Sequence, residues 1–189
     1  MRKLHQKNKL LFGVGINDAD YPVTPLVNGK RVMCYFYARW YDMLRRCYSG
    51  AWHKEQPTYI GCHVCKEWHR FSTFRAWMQT QPYEGQDLDK DLLGDGKLYS
   101  PNTCCFLPQS TNKFISGLGK KGWSWYSQLS KFHARCYVQG VEMHLGYFDT
   151  PEAAHKAWRA AKQEEGLTHV EALGLVPAAF KLWDRLLEI

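Results

Sequence analysis

The sequence predicts an α+β chain of two modules, and three observations carry that expectation. Two segments, Phe36 to Tyr48 and Trp68 to Met78, repeat apolar residues at helical spacing. Three short β-like runs, Trp123 to Leu129, Phe132 to Val138 and Glu142 to Phe148, crowd together later, with Gln139-Gly140 as a turn between the second and third. Between the helical and β-like regions, Gly117, Gly119, Lys120, Lys121 and Gly122 form a flexible, basic joint. At 189 residues the chain has the length of one domain or two small ones.

The elements follow in order. Residues 1–30 read as a basic, irregular segment: Arg2, Lys3, Lys7 and Lys9 come first. Gly13, Gly15, Pro22, Pro25 and Gly29 then favour loop over helix. Gly13-Val14-Gly15 is no phosphate loop, because neither the further glycines nor a Lys-Ser/Thr follows. The first module spans 31–116. Its leading helix places Trp40, Met43, Leu44 and Cys47 on one face and Arg39, Arg45 and Arg46 toward the other. That basic face reads either as solvated or as a surface laid along a polyanion. Trp68, Phe71, Phe74, Trp77 and Met78 form a second stripe, read as core. Cys104 to Leu107 is a short apolar strand.

After the joint at 117–122, a second module at 123–168 contains the three β-like runs and then a helix. Thr150 is its N-cap, Pro151 takes the first helical position, and Ala153, Ala154, Ala157 and Trp158 give it a close-packing face. His155 and His169 read as surface residues. A connector after Gly166 leads to Val176-Pro177 and a last helix within 169–189, with Phe180, Leu182, Trp183, Leu186 and Leu187 as its apolar set.

Composition narrows the partners. Twenty-five Lys and Arg against eighteen Asp and Glu leave +7, with a pI near 9.0, a mild footprint for a polyanion. Basic and aromatic residues interleave in Lys54, Tyr59, Lys66, Trp68, Arg70 and Arg75, a mixture suited to phosphate contact and ring stacking. No internal repeat or low-complexity tract occurs, which excludes solenoids and disordered scaffolds. No apolar run approaches the ~20 residues of a membrane span, and no charged-then-apolar leader begins the chain. The expectation is an intracellular protein without a membrane partner. Seven cysteines, an odd number, argue against a disulfide framework. Cys62-His63-Val64-Cys65 has the spacing of half a zinc knuckle, which Cys47 or Cys104 could complete as a structural Zn²⁺ site; ordinary buried thiols have the same spacing.

The densest chemistry lies in Leu88-Asp89-Lys90-Asp91-Leu92-Leu93, followed by Tyr99-Ser100-Pro101-Asn102 and by Pro108 to Asn112. Asp89 and Asn112 flank the strand at 104–107, where a ββα hairpin could bring both to one divalent ion. Hard cations such as Mg²⁺ or Mn²⁺ take oxygen ligands and keep several waters, so one carboxylate and one amide can hold the ion against a phosphate. The ion then polarises the phosphoryl oxygen and stabilises the leaving oxygen. Spacing alone favours a plainer reading, a charged strand end and a turn beside Gly94-Asp95-Gly96.

Trp40-Tyr41-Asp42-Met43-Leu44-Arg45-Arg46-Cys47-Tyr48, Pro57-Thr58-Tyr59, Val64-Cys65-Lys66-Glu67-Trp68, Phe71, Phe74, Trp77-Met78, Leu88 to Leu92 and Tyr99-Ser100-Pro101 form an ordered set across residues 35 to 114. Through them this region resembles the HNH homing endonucleases of T7-like bacteriophages. The resemblance implies a ββα-metal fold with Asp89 as the first metal-binding acid and Asn112 as the last ligand. Asn102 or Thr103 falls at the residue that braces the loop. The family's usual general base, a His after the acid, is replaced here by Lys90. An unperturbed Lys titrates at about 10.4 and would need desolvation or a neighbouring positive charge to act as a base. Lys90 is therefore expected to neutralise the phosphate, with a metal-bound hydroxide, Tyr99, His63 or His69 carrying the proton.

Trp125, His133-Ala134-Arg135, His144-Leu145-Gly146-Tyr147-Phe148-Asp149-Thr150 and Pro151-Glu152-Ala153-Ala154-His155-Lys156-Ala157-Trp158 resemble the AP2 DNA-binding domain. That resemblance implies a sheet laid in the major groove, with Lys131, His133, Arg135 and His144 as readers or phosphate holders; Arg45 and Arg46, on the basic face of the leading helix, are the further expected DNA contacts. Together the resemblances imply a monomeric phage endonuclease in the cytoplasm of an infected bacterial host. It would nick double-stranded DNA with Mg²⁺ or Mn²⁺ through Asp89, Lys90, Tyr99 and Asn112. The rival expectation is a catalytically inactive, HNH-derived DNA-binding protein, a phage regulator or a factor directed at a host defence protein.

Overall fold

The computed structural model describes residues 10–189; the basic stretch at Arg2, Lys3, Lys7 and Lys9 lies outside them. The architecture is mixed α+β with four small sheets among the described residues. The chain divides into two compact units between Phe106 and Leu107.

The first unit opens with a turn closed by Leu11 N–H donating to the Gly15 carbonyl at 2.8 Å. Gly15 must lack a side chain, since a Cβ there would lie 2.5 Å from Leu44 Cδ1. The expected loop up to residue 30 contains a hairpin, β1 (Leu26–Val27) against β2 (Lys30–Arg31). Asn28 and Gly29 both have positive φ, the two-residue turn whose twist matches paired strands. The segment boundary expected after residue 30 thus cuts through β2. Val32 N–H to Pro25 O and Cys34 N–H to Val23 O continue the ladder to its base.

α1 (Tyr35–Tyr48) buries Tyr37, Trp40, Met43, Leu44 and Cys47, the stripe read from spacing plus one ring. α2 (Gly50–Glu55) starts at Ser49, whose hydroxyl accepts from Trp52 N–H. β3 (His63–Val64), α3 (Phe71–Met78), β4 (Asp87–Asp89), β5 (Leu98–Tyr99) and β6 (Cys105–Leu107) complete the unit. β3 runs parallel to β5, and β4 pairs with β6. A single core joins these pieces. Trp68, Phe71, Phe74 and Met78 are fully buried in it, and Trp40 Nε1 donates to the Trp68 carbonyl at 2.7 Å, which removes the polar cost of burying the indole.

The second unit begins with α4 (Gln109–Gly117), followed by an antiparallel sheet of β7 (Trp123–Tyr126), β8 (Lys131–Val138) and β9 (Val141–Phe148). Gln139 and Gly140 take positive φ between β8 and β9, as the turn signal predicts. β7 stops at Tyr126, and the rest of its expected run is a turn. α5 (Pro151–Leu173) is capped by Thr150 Oγ1, which accepts from Ala153 N–H at 3.1 Å. The joint expected at 117–122 lies inside this unit. A Cβ on Gly122 would fall 2.0 Å from the Trp158 ring, so that glycine is packed against α5.

Two further expectations are corrected. No connector follows Gly166: α5 continues to Leu173, and the expected boundary at 168/169 falls within it. Gly166 serves packing, because Leu186 of α6 (Pro177–Glu188) occupies the space where its Cβ would be. Nor are His155 and His169 bare surface residues. His155 stacks on Trp158 and hydrogen-bonds the Lys121 carbonyl, while His169 contacts Phe114 and the Thr111 hydroxyl.

Candidate nuclease centre and nucleic-acid face

Asp89 ends β4 and is 3% exposed. Its Oδ1 accepts from the backbone N–H groups of Asp91 and Leu92, at 3.0 and 2.8 Å, so the carboxylate caps its own turn. No hydrogen bond reaches Oδ2 from any described residue. Burial pushes the carboxyl above its ordinary value, the two backbone donors pull it down and the Asp91 charge adds to the rise. A hard cation at Oδ2 would offset that desolvation, so this side chain fits the metal-ligand role.

Asn112 lies in the second unit, in the first turn of α4, which follows β6 directly through Pro108. Its backbone is engaged by Pro108 and Ser116, and its side-chain amide makes no hydrogen bond among the described residues. The loop before β6 is braced by Thr103 rather than by Asn102. Thr103 Oγ1 accepts from Ser100 N–H at 3.1 Å and donates to the Leu98 carbonyl at 2.7 Å.

Lys90 is 8% exposed, and its Nζ donates to Asp91 Oδ1 at 2.7 Å. Burial draws its pKa down, but the Asp91 hydrogen bond and charge outweigh it, and the net shift is upward. Lys90 is therefore held as an ammonium and is unsuited to be a general base. Asp91 turns to that ammonium. Tyr99 is 2% exposed, and burial pushes its phenol well above the ordinary value, against the pull of the Arg46 guanidinium. It stays neutral, and lies under Lys90 as a packed ring. Of the candidate proton carriers, His63 is exposed on β3, whereas His69 contacts the Tyr48 hydroxyl and the Val64 carbonyl.

Arg45 pairs with Asp42 at 2.9 Å and lies 4.1 Å from the Trp52 ring centroid; Arg46 lies over Tyr59. All seven cysteines are free thiols. Burial pushes Cys47 up to about 12 and raises Cys65 and Cys104 as well. Cys62 Sγ is directed at the Gly96 carbonyl, 3.6 Å away. Among the described residues no group of three His, Cys, Asp or Glu is placed to hold a metal ion. A centre of one carboxylate, one amide and waters is outside that description.

In the second unit, the alternation of β8 turns Ala134 and Cys136 inward and leaves Lys131, His133 and Arg135 on the opposite face. His144 joins that face from β9, as do Tyr147 and, from β7, Tyr126. His133 Nε2 and His144 Nδ1 are 2.6 Å apart, and the His133 ring stacks on Tyr147 at 5.0 Å. Slight burial, then the neighbouring His144 and Arg135, lower the His133 pKa. Lys131 pairs with Asp149 and Arg135 with Glu142 at the surface, where such pairs are weak enough to exchange for a phosphate. The four basic residues share one face of the sheet, and sequence reasoning missed the aromatic bed beneath them, which strand register would have revealed.

The unit also contains a cleft of about 1020 Å³, bordered by Lys113, Phe114, Trp158, Lys162, Glu165 and His169. Its buried ions are structural. Lys162 Nζ donates to Glu165 Oε2 and to the Tyr137 carbonyl, and Glu165 Oε1 accepts from Gln139 N–H, fastening α5 to the β8–β9 turn. No helix among the described residues is long and apolar enough to cross a membrane. In comparisons with known proteins, no family model, no curated protein and no solved structure matches this chain.

Proposed function

We propose that this chain is a DNA endonuclease of the ββα-metal, HNH-like class that nicks double-stranded DNA and addresses it through an AP2-like sheet. The observation that carries the reading is Asp89: a buried carboxylate at a strand end with one oxygen unbonded by any described residue, followed in sequence by a paired strand and a helix that starts three residues before Asn112. The HNH resemblance gives Asp89 and Asn112 as the residues that would hold Mg²⁺ or Mn²⁺, which would supply charge stabilisation at the phosphate and activation of water. Lys90, kept cationic by Asp91, neutralises the developing negative charge rather than taking a proton. The outer sheet face with Lys131, His133, Arg135 and His144 supports the address function, since it mixes cations with exposed rings. The setting is the cytoplasm of an infected bacterial host, with a monomer cutting one strand per binding event.

A second reading has its own observation. Lys90 stands where the family's base belongs and is tied up by Asp91, which suits an inactive, HNH-derived DNA-binding protein acting as a phage regulator or against a host defence protein. Supercoiled plasmid and phage DNA incubated with Mg²⁺, Mn²⁺ or chelator decides between them. Metal-dependent open circles, absent with Asp89→Ala, support the nuclease; duplex binding indifferent to chelator with no cut in either metal supports the rival.

A further inference from the structure

Three cations and two carboxylates gather where the end of α1 meets the segment after β4. Arg45 is paired with Asp42 at 2.9 Å and Lys90 with Asp91 at 2.7 Å. Arg46 has no carboxylate partner among the described residues. Its Nε is buried without an acceptor among those residues, and its guanidinium reaches the Tyr99 hydroxyl. Arg46 and Lys90 also share one ring: the guanidinium carbon is 5.7 Å and the ammonium 5.4 Å from the Tyr59 centroid. Both charges act on the Cys47 thiol between α1 and this cluster, each lowering a pKa that burial raises. The fold therefore holds two like charges around one tyrosine, with the Asp91 carboxylate paired to Lys90 and the Asp42 charge acting on Arg46 without an ion pair.

A surplus cation partly withdrawn from water is unfavourable unless an anion completes it. The partner must suit a planar fork on one side and a point charge on the other, a demand that a phosphate with two non-bridging oxygens meets. Lys90 follows Asp89 directly, so an anion held there lies beside the carboxylate assigned to the metal.

We propose that Arg46 and Lys90 form a phosphodiester clamp around Tyr59 that holds the reacting phosphate of the DNA next to Asp89. The placement at the reacting phosphate rests on the nuclease reading above; binding of a backbone phosphate does not. Arg46 is thereby a phosphate-binding residue of the centre, and Tyr59 orients both cations.

The test uses the full chain with Arg46→Ala and Arg46→Lys, each checked by thermal melting. In chelator, the slope of log affinity for a short duplex against log salt falls by about one for Arg46→Ala, the loss of one phosphate contact, and stays near wild type for Arg46→Lys. In Mg²⁺, kcat for nicking falls roughly 10²- to 10³-fold for Arg46→Ala, the range for removing one transition-state donor. Arg46→Lys, which keeps the charge and loses the fork, lies between. Added guanidinium restores part of the Arg46→Ala rate, which a merely structural defect would not allow. An unchanged salt slope overturns the clamp even if the wild type nicks DNA. A lower slope with unchanged kcat moves the contact to a neighbouring phosphate and overturns the assignment to the reacting one. Wild-type protein that never cuts removes the nuclease reading, and the slope still decides whether Arg46 binds phosphate.

Discussion

Burial makes Asp89 a carboxylate that the fold tolerates at a cost. Its folded pKa lies above the ordinary Asp value, so the unfolded chain loses this proton first as pH rises. Stability therefore falls with rising pH across the interval between the unfolded and folded pKa values, and the penalty is complete above the latter. Asp89→Asn keeps an Oδ1 for the Asp91 and Leu92 N–H groups and removes the charge. It should raise Tm at pH 7 by roughly 2–4 °C, the shift that ~1 kcal/mol produces in a chain of this length. The gain should shrink below pH 4, and Mg²⁺ should raise the Tm of the wild type but not of the variant. Thermal melts at two pH values, with and without metal, check all three; a lower Tm for Asp89→Asn at pH 7 would mean that the carboxylate is structural. The candidacy of Asp89 came from its neighbours in sequence. The tie between Lys90 and Asp91 was not readable there, because Asp91 had equal freedom to turn outward and only the packed turn directs it to the ammonium.

At the scale of elements, local chemistry placed most boundaries. Thr150-Pro151-Glu152 starts α5 because the threonine hydroxyl satisfies an orphan N–H and proline is pre-set for the first turn. Thr150→Ala should cost about 1 kcal/mol, measured as a shift in urea midpoint without a change in slope. Asn28-Gly29 carried the hairpin signal in plain view, but its flanking strands of two residues are too short for an alternating pattern to be recognised. Gly166 was misread as a stop. A glycine inside a helix lacks a local rationale, and its use appears only once Leu186 packs over it. Gly166→Ala should destabilise the second unit by roughly 1–3 kcal/mol through overpacking, despite the better helix propensity of alanine; a neutral or stabilising result in urea titration would refute the packing account. The β8–β9 face supplies a pH dependence. His133 has a lowered pKa beside His144 and Arg135, so it is largely neutral near pH 7. Phosphates favour its protonated form, and duplex affinity should rise as pH falls from 7 toward 5. His133→Phe should flatten that profile while preserving the stack on Tyr147.

At the scale of the whole molecule, cleavage and address should separate. Asp89→Ala is expected to abolish nicking with duplex affinity changed less than about threefold, whereas Lys131→Ala combined with Arg135→Ala should weaken binding and reduce the salt slope by up to about two. Equal loss of cutting and binding in both variants, measured by plasmid nicking and fluorescence anisotropy, would overturn the division of labour. The sequence by itself determined the mixed α+β class, the apolar faces of α1 and α3, the turn between β8 and β9, and the start of α5. Each depends on periodicity or turn chemistry within a few residues. Only the tertiary structure decided that Lys90 is kept as an ammonium, that Lys162 and Glu165 fasten α5 to a turn, that Gly122 and Gly166 are sites of close approach, and that Arg46 and Lys90 share the Tyr59 ring. Charge pairing, desolvation and steric fit depend on distances between residues far apart in the chain, and those distances arise only when each unit packs within itself.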